Sequence, residues 1–89
     1  MDRLKRRREG RVTGLKETGK RLESGLVEIL YVADDADRAL TDPMVEAARE
    51  QGIEVVRVPS MKELGRASGI EVGAAVAAVL KEGESRADH

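Results

Sequence analysis

Helix-like and strand-like segments alternate along the chain, and glycine or proline separates most of them. Leu15 and Leu22 lie a heptad apart in a polar stretch that stops at Gly25, which predicts a helix over residues 15–24 with a C-terminal glycine. Residues 27–32 are dense in aliphatic and β-branched side chains with little alternation, a pattern typical of a strand covered on both faces. We therefore expect this strand to be central in a sheet.

The middle of the chain has a second helix-and-strand pair. Asp42 and Pro43 have the residue types of a helix N-cap and a first helical residue, and an apolar stripe follows them. The helix that they would begin ends at Gly52, and residues 53–58 form the next β-rich run. The pattern thus predicts a strand, a helix and another strand in succession.

A capping box marks the start of the next helix, because Ser60 is a good N-cap and Glu63 stands three residues later. This short helix is expected to end near Ala67 and Gly69, and residues 74–80 supply a last buried strand or small-residue run. Strands that alternate with helices in this way are typically joined by right-handed βαβ crossovers. We predict an α/β fold, a three-layer α/β/α sandwich with a small, mostly parallel or mixed sheet of about four strands.

The 89 residues suffice for one small domain, which we expect to cover residues 1–89. Residues 1–10 are predicted to be a basic helix or arm, residues 11–13 a short β-compatible stretch, and residues 81–89 a flexible polar tail. No apolar stretch follows the basic start, so no signal peptide is expected. The longest apolar run, residues 72–80, is about half the ~20 residues that span a bilayer, so no membrane partner is expected.

The composition narrows the chemistry. Hydrophobic residues make up 40% of the chain but aromatic residues only 1%, so the core must be aliphatic and bases cannot be bound by stacking on aromatic side chains. There is no cysteine, which excludes a Cys-based metal site, and a histidine-containing metal site or nucleophilic catalytic pair would have to rest on the single histidine, the terminal His89. We expect a cytoplasmic protein without cofactor, metal or enzymatic activity, although a mechanism using carboxylates alone stays open.

Charge is segregated along the chain despite a formal net charge of −1. Residues 1–25 contain nine Lys and Arg against four Asp and Glu, whereas residues 26–89 contain seven against thirteen. A basic end of this kind suits a polyanion, and it is equally typical of a solvated basic arm. Charge alone does not decide between the two.

Two segments resemble binding motifs without completing them. Residues 14–21 nearly match a P-loop, but Arg21 stands where the metal-binding hydroxyl is required and the interior residues favour a helix. The acidic cluster Asp34, Asp35 and Asp37 lacks the spacing of a calcium loop. We expect neither nucleotide hydrolysis nor cation binding, and interpret the acidic cluster as a solvated loop.

The start of the first long helix is a better candidate. Lys16 and Lys20 share one face with Glu17 beside them, and Gly14 permits close approach of another backbone. The free amides and the dipole of a helix start attract phosphate, and a carboxylate there can accept hydrogen bonds from base edges. The same spacing is common in ordinary surface charge patterns, which remain the alternative.

Three motifs share their order and spacing with a known family. GLKETGK at residues 14–20, VPSMKELG at residues 58–65 and ASGIEVGAA at residues 67–75 resemble the kink-turn-binding ribosomal proteins of the L7Ae and L30e type, especially small bacterial members. The resemblance runs from about Arg11 to Leu80. It implies an α/β/α sandwich, in agreement with the alternation above, and a single RNA-binding domain.

The resemblance also implies a binding site. The start of the first long helix would enter the kinked RNA groove at tandem sheared G·A pairs, and the Ile-Glu-Val loop would cover bulged nucleotides. Lys16 replaces an asparagine that is common in archaeal and eukaryotic members, so a side chain that donates and accepts becomes one that only donates. The implied RNA-binding residues are Gly14, Lys16, Glu17, Lys20, Ile70, Glu71 and Val72.

We therefore expect an RNA-binding protein that stabilises kink-turns in ribosomal or regulatory RNA, with the ribosome as a candidate partner. Nothing in the sequence indicates oligomerisation, and a monomer is expected. A protein-interaction or scaffold domain with weak RNA affinity and a small phosphate-binding domain are the alternatives. Ile70 and Val72 could equally be ordinary core residues, since aliphatic side chains beside glycine are often buried.

Overall fold

The computed structural model describes residues 2–6 and 10–81. These residues form four helices, α1 (Asp2–Arg6), α2 (Leu15–Glu23), α3 (Arg38–Glu50) and α4 (Met61–Ala67). They also form four strands, β1 (Arg11–Thr13), β2 (Val27–Ala33), β3 (Glu54–Val58) and β4 (Val76–Leu80). Within the described ranges, no helix is both long and apolar enough to cross a membrane.

The four strands form one sheet in the order β1-β4-β2-β3. Strand β2 pairs with β3 in parallel, whereas β4 is antiparallel to both β1 and β2. The sheet is therefore mixed, and β2–α3–β3 is its one parallel crossover unit within the described chain. The predicted central position of β2 is confirmed.

Helices cover both faces of this sheet, which makes three layers. Ile29 and Tyr31 of β2 pack with α1 and α4 on one face, and Leu30 and Val32 pack with α2 and α3 on the other. Because a register shift between Val27 and Ile29 interrupts the alternation, Val27 packs on the same face as Leu30. The α/β/α sandwich expected from the sequence is confirmed.

Helix α3 begins earlier than predicted. Asp37 is its N-cap and accepts a hydrogen bond from the Ala39 amide at 3.0 Å, so the expectation that Asp42 and Pro43 open the helix is wrong. Pro43 lies inside α3 and gives up one backbone hydrogen bond. The earlier start adds about one turn to the buried face of α3, because Thr41 joins the buried stripe of Val45 and Ala48.

The basic N-terminal segment begins as a docked helix. Leu4 of α1 is fully buried against the sheet and α4. Arg3 donates a 2.6 Å hydrogen bond to Glu28 of β2, and this contact raises the pKa of the Arg3 guanidinium. Residues 7–9 and the tail predicted at residues 82–89 lie outside the described residues.

Candidate functional site

An apolar cleft of about 600 Å³ opens where the start of α2, the start of α3 and the loop between α4 and β4 meet. Its lining includes Gly14 and Leu15 from the first of these, Leu40 from the second, and Ile70 and Val72 from the third. The large hydrophobic side chains that are exposed in the described chain are Leu40 at 53%, Ile70 at 37% and Val72 at 71%, and all three line this cleft. Clustering of exposed apolar side chains marks a binding surface.

Gly14 forms the edge of this cleft at the start of α2. Its φ of 96° and ψ of 159° belong to a region that is open essentially to glycine alone. The Gly14 amide donates to the Val76 carbonyl at 2.9 Å, which ties the helix start to β4. A Cβ atom at Gly14 would have no protein atom within 4 Å, so the space beside this residue is open to an incoming ligand.

The first turns of α2 present charged side chains beside the cleft. Lys16 and Glu17 are exposed, and the Glu17 carboxylate lies 3.9 Å from Lys20 Nζ and 3.8 Å from Arg21 Nη2. Among residues 2–6 and 10–81, no carboxylate forms an ion pair with Lys16. The role of Arg21 as a partner of Glu17 was missed by the sequence analysis, although its i,i+4 spacing was readable.

No side chain caps the start of α2, because its N-cap residue is Gly14. The first amides of a helix have no partner within the helix, and they carry the positive end of its dipole. With Lys16 next to them, these amides favour an anion. The residues that resembled a P-loop are helical from Leu15 onward, as their residue types predicted.

Two glycines allow the loop of Ile70, Glu71 and Val72 to pack closely against α4. A Cβ atom at Gly65 would collide with the Val72 carbonyl, and one at Gly73 would lie 3.1 Å from Met61 Cβ. This role of Gly65 and Gly73 was not predicted from the sequence. For Gly65 the available signal was its position inside a predicted helix, where alanine is preferred by about 1 kcal/mol.

Backbone hydrogen bonds complete the attachment of this loop. The Ile70 amide donates to the Gly65 carbonyl at 3.0 Å, and the Ala74 amide donates to the Met61 carbonyl at 3.0 Å. Glu71 is exposed, as are Ile70 and Val72. The alternative that Ile70 and Val72 are ordinary core residues is therefore wrong.

The acidic cluster has structural partners. Asp34 lies 3.6 Å from Arg57, Asp35 accepts a 2.8 Å hydrogen bond from the Met61 amide, and Asp37 caps α3. Within the described ranges, no group of acidic or histidine side chains is arranged to hold a metal ion. Asp35 thus contributes to the site indirectly, because it helps to place the start of α4 beside the cleft.

The predicted site residues fall into two groups around one cleft. Gly14, Ile70 and Val72 line it, and the exposed Glu71 stands between the last two in the sequence. Lys16 and Glu17 follow Gly14 in the first turn of α2, and Lys20 lies one turn further along the same helix. Leu40 and Met61 line the cleft as well, and neither was predicted from the sequence, because only the folded chain brings α3 and α4 to this place.

Known proteins that are similar to this chain include RNA-binding and ribosomal proteins. A protein of Bacillus pumilus named RNA-binding protein is 46% identical over 69 residues, which are 78% of this chain and 84% of that protein. The large ribosomal subunit protein eL8 of Halobacterium salinarum is 44% identical over 73 residues, which are 81% of this chain and 61% of eL8. Among solved structures, the Giardia lamblia 15.5kD RNA binding protein has a TM-score of 0.81 at 26% identity, over 92% of this chain and 71% of its own.

The sequence profile of one family covers nearly the whole chain. The match extends over residues 2–88, and so includes both segments that border the cleft. The chain belongs to the ribosomal protein L7Ae/L30e/S12e/Gadd45 family.

Proposed function

We propose that this protein binds RNA and recognises kink-turns at their tandem sheared G·A pairs, in ribosomal or regulatory RNA. One observation carries the proposal. The glycine-led helix start and the Ile70–Val72 loop, which are distant in the sequence, border a single cleft that contains the exposed large hydrophobic side chains of the described chain. Relatives that are named as RNA-binding or ribosomal proteins support the RNA-binding part of the proposal.

The start of α2 supplies the polar half of recognition. Its free amides and the Lys16 ammonium attract the phosphate backbone, and Lys20 adds a second cation one turn further along. The Glu17 carboxylate can only accept hydrogen bonds, and guanine edges at sheared pairs offer N–H donors. Regular A-form RNA hides base edges from a helix end, whereas a kink exposes them, so shape selects the RNA.

The cleft supplies the apolar half. Its volume of about 600 Å³ falls within the range of small-ligand pockets and is large enough for an unstacked nucleobase. Ile70 and Val72 would cover such a base, and burial of their apolar surface stabilises the complex at roughly 25 cal/mol per Å². The function then requires no aromatic stacking, in keeping with a chain whose single aromatic residue, Tyr31, is buried in the core.

We further propose that the protein acts as a monomer that associates with the ribosome or another structured RNA, without a membrane, metal or cofactor. The alternative is an interaction or scaffold domain on the same fold with weak RNA affinity. Its support is the acidic balance of residues 26–89, with thirteen acidic against seven basic side chains. The two functions differ in what they require of Glu17.

The deciding experiment compares Glu17→Ala with the wild type on a kinked and an unkinked hairpin. Toward phosphate alone the Glu17 charge opposes binding, so simple electrostatics expects a gain in affinity. If Glu17 instead reads base edges, Glu17→Ala should lose about 1–3 kcal/mol of binding free energy on the kinked hairpin, roughly 5- to 150-fold in affinity. Its affinity for the unkinked hairpin should not fall.

Glu23→Ala is the matched control. Glu23 is an exposed acid at the end of the same helix, about 9 Å further along its axis by the rise per residue. Its removal changes the net charge equally and should leave the ratio of kinked to unkinked affinity unchanged. Circular dichroism checks that both variants are folded. If Glu17→Ala and Glu23→Ala give the same ratio, Glu17 does not read bases and the scaffold alternative gains.

A further inference from the structure

Arg11 links two parts of the molecule that the binding site does not otherwise connect. It is a half-buried residue at the start of β1, the edge strand that pairs with β4. Its Nη1 donates to the Leu4 carbonyl at 3.0 Å and to the Lys5 carbonyl at 3.4 Å. These carbonyls belong to the last turn of α1, where helix carbonyls have no partner within the helix and a cation is favoured.

The other branch of the same guanidinium lies against the turn that leads into the binding loop. A Cβ atom built on Gly69 would lie 2.7 Å from Arg11 Nη2, so this branch of the guanidinium packs directly against the Gly69 turn. The φ of 84° at Gly69 lies in the left-handed region, which favours glycine over residues with a side chain. The Gly69 amide closes α4 by donating to the Arg66 carbonyl at 3.1 Å, and Ile70 follows directly.

Helix α1 has only five residues, and a helix of this length is not stable alone. It is held in place by the buried Leu4, by the contact between Arg3 and Glu28, and by Arg11. An arginine suits this place better than a lysine, because one branch of its planar fork donates to the α1 carbonyls while the other packs against the Gly69 turn. The guanidinium therefore reaches α1 and the Gly69 turn together.

We propose that Arg11 is a positioning residue: it ties the end of α1 to the Gly69 turn and thereby holds the loop of Ile70, Glu71 and Val72 in its binding position. This inference rests on the proposed function for its consequence in RNA binding, but its structural part stands apart from it. Arg11 itself contacts protein carbonyls rather than RNA. The N-terminal segment thus contributes to kinked-RNA affinity through the loop.

The structural part is tested without RNA, by hydrogen exchange of the Gly69 and Ile70 amides. Arg11→Met keeps an apolar side chain of similar length but loses the donors and the charge. We expect these two amides to exchange roughly tenfold faster in this variant, because the turn opens more often once the guanidinium no longer packs against it. The amides of Leu30 and Val32 in the central strand report global opening and should be unchanged.

Arg49→Met is the matched control. Arg49 is an exposed arginine in the last turn of α3, about 16 Å along the helix axis from the end that borders the cleft. It removes the same charge and should leave the exchange of Gly69 and Ile70 unchanged. Equal exchange in Arg11→Met and Arg49→Met would overturn the proposal. Arg11→Lys should fall between Arg11→Met and the wild type, and full recovery with lysine would overturn the two-sided contact.

The consequence for binding is tested on the kinked and unkinked hairpins. For Arg11→Met we expect the ratio of kinked to unkinked affinity to fall about fivefold, with the same salt dependence as Arg49→Met. If Arg11 instead neutralised a phosphate, the slope of log K against log salt would become shallower by about 1 in Arg11→Met alone, and the proposal would fail. Absence of kinked preference in the wild type would defeat the proposed function, whereas the exchange experiment would still decide the role of Arg11.

Discussion

The two sides of the cleft are built in different ways. The α2 side is charged and belongs to a regular helix, whose start is set by Gly14 and whose first turn presents Lys16 and Glu17. The loop side is apolar and irregular, and it owes its position to close packing of Gly65 and Gly73 on neighbouring backbone and side chains. A regular helix carries its side chains in known directions, whereas an irregular loop needs support from elsewhere in the chain.

Because the two sides differ in this way, substitutions on them should affect RNA affinity and folding stability differently. Exposed side chains on the α2 side have few protein partners, so their removal should change affinity and leave stability nearly intact. Residues that support the loop are packed, and their substitution should change stability and affinity together. The following substitutions test that separation.

Gly65→Ala should have the largest effect. Its new methyl group would collide with the Val72 carbonyl, so the loop must move. We expect a loss of about 1–3 kcal/mol in the free energy of unfolding, although alanine is the better helix former. Affinity for a kinked hairpin should fall more than tenfold. Urea unfolding and a binding titration measure the two effects.

Gly19→Ala is the control for that substitution, because Gly19 is also a glycine inside a helix. A Cβ atom there would meet only Met44 Cε, at an ordinary contact distance of 3.9 Å. The expected result is a gain of up to about 1 kcal/mol in unfolding free energy and no change in affinity. If the two glycine variants show the same stability and affinity, the position of the loop does not depend on its close packing against Gly65.

Val72→Ala should have an intermediate effect that is confined to binding. Val72 is 71% exposed, so we expect its truncation to change the free energy of unfolding by less than about 0.5 kcal/mol. Kinked-hairpin affinity should fall about three- to tenfold, because apolar surface that contacts RNA is lost.

The same truncation at the fully buried Val32 provides the contrast to Val72→Ala. Val32→Ala should cost about 2 kcal/mol in the free energy of unfolding and leave the affinity of the folded protein unchanged. A stability loss at Val72 as large as that at Val32 would contradict an exposed binding role for Val72.

The salt dependence should show the smallest effect, and it reports on the α2 side alone. If roughly two to five phosphates are neutralised, log K falls against log salt with a slope of about −2 to −4. Lys16→Met and Lys20→Met should each make the slope shallower by about 1, whereas Val72→Ala should leave it unchanged. Titrations at several salt concentrations measure these slopes, and a flat response in the wild type would contradict phosphate contacts.

Local residue chemistry predicted much of the fold. The Ser60 hydroxyl accepts a hydrogen bond from the Glu63 amide at 3.1 Å, as the capping box required, and α4 begins after it. The Glu63 carboxylate also reaches back, but its partner is the Ser60 hydroxyl, which donates to it at 3.5 Å, whereas a capping box uses the Ser60 amide. The start of α3 was predicted five residues late, because a proline after Asp42 suggested a helix start, while burial of Thr41 and capping by Asp37 favoured an earlier one.

Local residue patterns predicted the order of helices and strands, the central strand β2 and the charged start of α2, because each depends on neighbours within a few residues. Long-range packing, in contrast, makes the sheet mixed, brings Leu40 and Met61 to the same cleft as Gly14, and leaves Ile70 and Val72 exposed rather than buried. An apolar side chain beside a glycine has the same local chemistry in a core and on a loop. Its burial depends on what the rest of the chain packs against it, and here Gly65 and Gly73 hold the backbone of the loop while its side chains face outward.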